Sequence, residues 1–99
     1  MNIKINSVRV SPTSKLEAFV QEKVKKLGQY SDEIIGAEVF LKIENAQEMD
    51  NKVVEIRMDI PGNDLFIKKQ SKTFEEATDL AVDSLKRQLT KFKEKRRGQ

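Results

Sequence analysis

Thr73-Phe-Glu-Glu-Ala-Thr-Asp-Leu-Ala-Val-Asp-Ser-Leu-Lys-Arg-Gln-Leu-Thr-Lys-Phe92 is the stretch whose reading decides the fold. Thr73 followed by Glu76 has the spacing of a capping box, a hydroxyl and a carboxylate placed to satisfy the first free N–H groups of a helix. Phe74, Ala77, Ala81, Leu85, Leu89 and Phe92 then recur every three or four residues. That period lays them on one face of an α-helix, as a single apolar stripe about five turns long. A helix with one such stripe needs an apolar surface to cover, and that surface has to come from the preceding residues.

Upstream, the period changes from helical to alternating. Val54, Ile56, Met58 and Ile60 alternate with Glu55, Arg57 and Asp59, the pattern of a strand with one face buried. Ala37 to Glu44 alternates too, with Val39, Leu41 and Ile43 on one side. Asn45–Asn51 is polar and reads as a loop, Pro61-Gly62-Asn63-Asp64 as a turn, and a further strand runs from about Leu65 to Ser71. At the start, Ile3, Ile5, Val8 and Val10 predict a strand whose parity slips, which calls for a bulge near Asn6–Ser7. Ser11-Pro12 supplies an N-cap with proline at the first helical position. Leu16, Phe19, Val20, Val24 and Leu27 carry that helix to Gly28, which can close it as a left-handed cap.

The order is therefore βαβββα, an α+β two-layer sandwich. A mostly antiparallel four-stranded sheet carries both helices on one face and leaves the other face open. The 99 residues hold no repeat and no low-complexity linker, so the expectation is one domain over residues 1–95 followed by a basic tail at 96–99.

Composition removes several classes of function. There is no cysteine to form a disulfide, a thiolate metal site or a nucleophile, and no histidine to move protons near neutral pH. No glycine-rich phosphate loop is present. Asp79 and Asp83 stand four apart on a helix, but two carboxylates on an exposed acidic face read as solvated rather than as a metal site. The expectation is a protein that is not an enzyme, with no cofactor, no metal and no small-molecule substrate. MNIKINSVRV lacks the apolar block of a signal peptide, and no apolar run approaches the roughly 20 residues that span a bilayer. A cytoplasmic protein without membrane contact is expected.

The formal charge of +3 is unevenly placed. Lys86, Arg87, Lys91, Lys93, Lys95, Arg96 and Arg97 crowd one segment in which Glu94 is the sole acid, so the rest of the chain is net acidic. On the helical wheel Arg87, Lys91 and Lys95 follow at i, i+4, i+8 along one flank, and Lys86, Lys93 and Arg97 along the other. Like charges at that spacing repel by a few tenths of a kcal/mol per pair. The first half of the same helix carries Glu75, Glu76, Asp79 and Asp83 instead. An unrelieved cationic end fits contact with a polyanion, whose counterions are released on binding; a solvated helix end favoured by the helix dipole is the plainer reading. The first helix adds Lys23, Lys25 and Lys26. Lys23 falls within the apolar arc, where a snorkelling lysine is ordinary. Lys25 points away from the core side. Most of the six aromatics sit on apolar stripes and read as core, whereas Phe40 and Phe66 alternate out of phase on their strands, which offers one of them a place on the open face.

The element order and the run Phe74-Glu-Glu-Ala-Thr-Asp-Leu-Ala-Val-Asp-Ser-Leu-Lys-Arg-Gln-Leu-Thr-Lys-Phe-Lys-Glu-Lys95 resemble the ribosome hibernation-promoting factor family, also described as ribosome-associated inhibitor A and as sigma-54 modulation protein. Phe19-Val-Gln-Glu-Lys-Val-Lys-Lys-Leu-Gly-Gln-Tyr30 is similar to its first helix, and the resemblance covers essentially the whole chain. It implies a double-stranded-RNA-binding-like fold lodged in the decoding region of the small ribosomal subunit, across the path of messenger and transfer RNA. The partners it implies are that subunit and its ribosomal RNA, with the free protein a monomer. The basic positions it matches are Lys23, Lys26, Lys86, Arg87, Lys91, Lys93 and Lys95. Three positions depart from the pattern: Thr73 replaces a frequent aspartate and caps as well, Ser84 replaces a basic residue, and Glu17 replaces an arginine. Ending at Gln99, the chain resembles the short members, which lack the domain that pairs ribosomes. Two other readings stay open, a stand-alone binder of double-stranded RNA and a protein-interaction modulator of a transcription factor.

Overall fold

A computed structural model describes the backbone of residues 1–97 and the side chains of residues 1–92. The elements are β1 (Asn2–Val8), α1 (Ser14–Lys25) with a 3₁₀ turn at Lys26–Gln29, β2 (Gly36–Ile43), β3 (Lys52–Ile60), β4 (Asn63–Ser71) and α2 (Phe74–Arg97). The four strands lie in the order β1-β2-β3-β4. β2–β3 and β3–β4 are antiparallel, while β1 pairs parallel to β2, making the sheet mixed. Parallel neighbours need a crossover, and α1 supplies it. The helical positions on the basic tail fall in part within α2, which runs to Arg97; Gly98 and Gln99 lie outside the described residues.

The core forms where the two periods meet. Val39 and Leu41 of β2 and Val54, Ile56, Met58 and Ile60 of β3 bury one sheet face. Against it lie Val20, Val24 and Leu27 from the first helical region and Phe74, Ala77, Ala81, Leu85 and Leu89 from α2. Alanines at the centre of the α2 stripe let its backbone approach the sheet, and Leu85 and Leu89 fill the space beyond them. Thr78, also fully buried, spends its hydroxyl on the Phe74 carbonyl at 2.7 Å, so no polar group is stranded there.

Several local expectations are corrected. The predicted bulge at Asn6–Ser7 is absent, because Asn2–Val8 pairs residue for residue with Gly36–Lys42. The parity change falls at Arg9 instead, whose φ of 58° turns the chain in a conformation uncommon for a bulky residue and lets Val10 pack on the core. The first helix is capped by Thr13 rather than Ser11: its Oγ1 accepts from the Leu16 N–H at 3.1 Å, and Pro12 precedes the cap. Gly28 does not close the helix in the left-handed region; α1 tightens into the 3₁₀ turn, and Gly62 is the positive-φ glycine, at 80°. Ile43, expected inside with Val39 and Leu41, is 42% exposed because its partner Lys52 stands at the end of the sheet. At α2, Thr73 Oγ1 accepts from the Glu76 N–H at 3.1 Å, while the Glu76 carboxylate accepts from Ser71 Oγ at 2.6 Å rather than closing the box.

Pro61-Gly62 joins β3 to β4 with the proline and positive-φ glycine that a type II turn demands. The longer 45–51 loop is tied down by its own polar groups. Asn51 Nδ2 donates to the Ala46 carbonyl, Glu48 N–H to the Asn45 carbonyl, and Gln70 Nε2 reaches the Asp50 carbonyl.

Gly36 is the tightest point of the sheet. A Cβ there would sit 2.8 Å from the Asn2 carbonyl oxygen, inside contact distance with backbone that cannot rotate away. Gly36→Ala should therefore force β1 from β2 and lower stability by about 1–3 kcal/mol, measured by urea denaturation.

Candidate nucleic-acid interface

The α2 stripe that faces the sheet also dictates what faces outward. With Leu85 and Leu89 buried, Lys86, Arg87 and Lys91 are exposed. Both helices start from the end of the sheet where β1 and β4 finish, and they lie side by side on one face. The last turn of α1 and the 3₁₀ turn thus stand beside the middle of α2.

The expected cations separate into groups with different partners. Lys23 is engaged: its Nζ lies 3.4 Å from Asp79 Oδ1 and 5.4 Å from the centre of the Phe19 ring. Lys26 makes only a long exposed pair with Glu22 at 3.9 Å. Lys86 holds its Nζ 5.2 Å from the centre of the Tyr30 ring and pairs with no carboxylate among the described residues. Arg87 donates to Ser84 Oγ at 3.3 Å, leaving most of its guanidinium donors outward. Lys91 is exposed. The side chains of Lys93 and Lys95 lie outside the described residues. Ser84, where a basic residue was expected by resemblance, is 8% exposed and helps hold Arg87.

Between α1 and α2 the surface opens into a groove of about 680 Å³. Lys23 and Lys26 stand on the first helical region, and Lys86 lies on α2 beyond the acidic residues. Glu76, Asp79 and Asp83 line the groove from α2 at i, i+3, i+7, and Tyr30 and Leu27 contribute its apolar part. Tyr30, grouped with the core aromatics from sequence, does pack against the core; its half-buried ring also lines the groove, a second role that sequence reasoning did not assign. Its place at the end of the lysine-rich Lys23–Lys26 segment was the available signal.

The opposite face of the sheet has a different electrical character. Arg57 pairs with Glu38 at 2.9 Å, Lys42 with Glu55 at 3.1 Å, and Lys68 with Glu44 at 3.2 Å. Its cations are largely cancelled by cross-strand neighbours, so a phosphate gains little there. Phe66 is 54% exposed on this face and Phe40 half-buried, so both stand where the sequence offered a place to one.

A four-stranded α+β domain with one cancelled face and one cationic helix defines a small surface-binding protein rather than one built around an enclosed site. Residues 3–97 match the model of the family described as Sigma 54 modulation protein / S30EA ribosomal protein, and the chain belongs to that family. It is 31% identical over 98 residues to a ribosome hibernation promoting factor of Pseudomonas putida, covering 99% of this chain and 92% of the relative. The ribosome hibernation promoting factor of Escherichia coli K12 is 32% identical over 95 residues, covering 96% of each. Among solved structures, a ribosomal subunit interface protein from Coxiella burnetii superposes with a TM-score of 0.84 over 94% of this chain and 98% of its own. At 22% identity that likeness concerns the fold.

The Lys23–Asp79 pair is partly exposed on both sides, so it should add little to stability. A double-mutant cycle with Lys23→Ala and Asp79→Ala should give a coupling below about 1 kcal/mol that shrinks as salt is added.

Proposed function

We propose that this protein is a ribosome hibernation factor that binds the ribosomal RNA of the small subunit through the helix side of its fold and keeps messenger and transfer RNA out. The observation that carries the reading is the outward group Lys86, Arg87 and Lys91, cations without carboxylate partners among the described residues, on a helix whose other face is locked into the core. The names of the relatives support the same direction.

Folded RNA presents phosphates in a fixed spatial pattern, and a rigid cationic helix matches them by shape without reading base edges along a duplex. Arg87 can grip a phosphate with two parallel N–H donors, while the lysines act as mobile point charges. Lys93 and Lys95 extend this group in sequence, and Lys23 and Lys26 flank it from α1; Lys23 would first have to exchange Asp79 for phosphate. Inhibition then needs no chemistry. A body with extents of 48 × 24 × 18 Å seated in the decoding region fills the channel that messenger and anticodon stems occupy. No cofactor takes part in this mechanism, and the free protein acts as a cytoplasmic monomer.

Co-sedimentation with purified small subunits across a salt series tests the reading. The wild-type chain should pellet with the subunit at low salt, with log K falling linearly against log salt. Arg87→Glu/Lys91→Glu should remain in the supernatant. Binding that survives high salt would point instead to a protein-interaction modulator, and equal affinity for a free duplex to a general double-stranded RNA binder.

Bound subunits should also resist loading. A messenger fragment with initiator transfer RNA should displace the protein competitively, and translation in a purified system should fall in proportion to subunit occupancy. Inhibition that persists at saturating messenger would exclude the channel-blocking mechanism.

A further inference from the structure

The groove between α1 and α2 has a composition that phosphate binding alone does not explain. Lys26 and Lys86 stand at it, yet Asp79 and Asp83 line it too, from the same helix as Lys86, where they would repel a phosphate lattice. Asp79 is occupied by Lys23 at 3.4 Å. Asp83 is exposed and forms no ion pair or hydrogen bond with the described residues, which leaves a free acceptor beside the cations. The Tyr30 ring is half-buried, its hydroxyl forms no hydrogen bond with the described residues, and Lys86 lies over the ring at 5.2 Å. That contact is exposed and of the weak kind that a lysine gives up readily for a phosphate.

A ligand that suits all of these groups carries a negative charge, a flat π-face and an amino edge. We propose that the groove receives one looped-out nucleotide of the bound RNA. Its base stacks on Tyr30, its exocyclic amino group donates to Asp83, and its phosphates meet Lys26 and Lys86. The volume of about 680 Å³ lies within the roughly 300–1,000 Å³ typical of small-ligand sites. Carboxylates accept from the amino groups of bases, so adenine, cytosine and guanine fit, and uracil, without such a group, fits worst. Aromatic stacking of unpaired bases is the usual way a protein gains specificity on RNA whose helices it reads only by shape. The inference rests on the RNA-binding reading above and deepens it: the cationic group sets affinity, and the groove sets where on the RNA the protein stops.

The test compares wild type, Tyr30→Leu, Asp83→Ala and Arg87→Glu/Lys91→Glu for affinity to purified small subunits across a salt series. Thermal melts establish that each variant is folded, and surface-exposed Asp83→Ala keeps the test alive if Tyr30→Leu folds poorly. The sign of the Asp83→Ala effect is decisive, because alanine removes the charge and the acceptor together. If the carboxylate merely repels RNA, its removal tightens binding; if it accepts from a base, binding weakens about threefold or more. Tyr30→Leu should lose about tenfold in affinity with an unchanged salt slope, since stacking releases no counterions. Dimethyl sulfate probing of the subunit should reveal one unpaired adenine, cytosine or guanine, read at N1, N3 or N7 respectively, that is protected by the wild type and reactive with Tyr30→Leu. Tighter binding by Asp83→Ala, or wild-type affinity in Tyr30→Leu, overturns the groove proposal while leaving the function intact. Failure of the wild type to bind, or wild-type binding by Arg87→Glu/Lys91→Glu, overturns the RNA reading and the groove with it.

Discussion

Burial of the α2 stripe against β3 and β4 is the constraint on which the rest of this structure depends. A sheet of four strands with one face open to water cannot hold itself together; three layers of interaction meet only where Ala77, Ala81, Leu85 and Leu89 close over Ile56 and Met58. Because the helix has a fixed 100° between residues, fixing that stripe also fixes every other side chain on it. Lys86, Arg87 and Lys91 are outward because Leu85 and Leu89 are inward. The binding surface is in this sense a by-product of core packing, and its rigidity comes from the same contacts.

The same logic explains the division of charge along α2. Acidic residues near the start of a helix and basic ones near its end both agree with the helix dipole, so neither half opposes folding locally. The acidic half faces α1 and gives Lys23 its partner, while the basic half has no comparable partner among the described residues. On the far side of the sheet, cross-strand pairing of Glu38 with Arg57 and Glu55 with Lys42 removes the charges from competition. One face of the molecule is electrically settled and the other is not.

How far the chain could be read in advance depended on whether a residue answers to a local period or to a distant neighbour. Strands β2, β3 and β4 and the cap of α2 were legible because alternation, a Pro-Gly turn and a threonine three residues before a glutamate are local signals. The slip in β1 was seen but misplaced. Its resolution at Arg9 depends on pairing with β2, 34 residues away for each partner, and nothing near Asn6 reveals it. Thr13 displaced Ser11 as cap for a similar reason: both precede the helix, and only the packing of Leu16 and Val20 chooses the register. Among the site residues, the cations of α2 followed from the wheel. The groove did not, since Tyr30, Asp83 and Lys86 are brought together by helix–helix packing that no single period encodes.

Uneven charge also bears on how fast the molecule finds its target. With its positive residues gathered in one stretch of the sequence and a net acidic remainder, the chain is unevenly charged, and under the proposed function a phosphate-rich surface would exert a torque on it before contact. Approaches with the cationic end leading are enriched over random ones, so a greater share of collisions arrive in a productive orientation. Ionic strength would then act chiefly on the association rate, through the range of that torque, while the lifetime of the complex is left to the short-range contacts made after arrival.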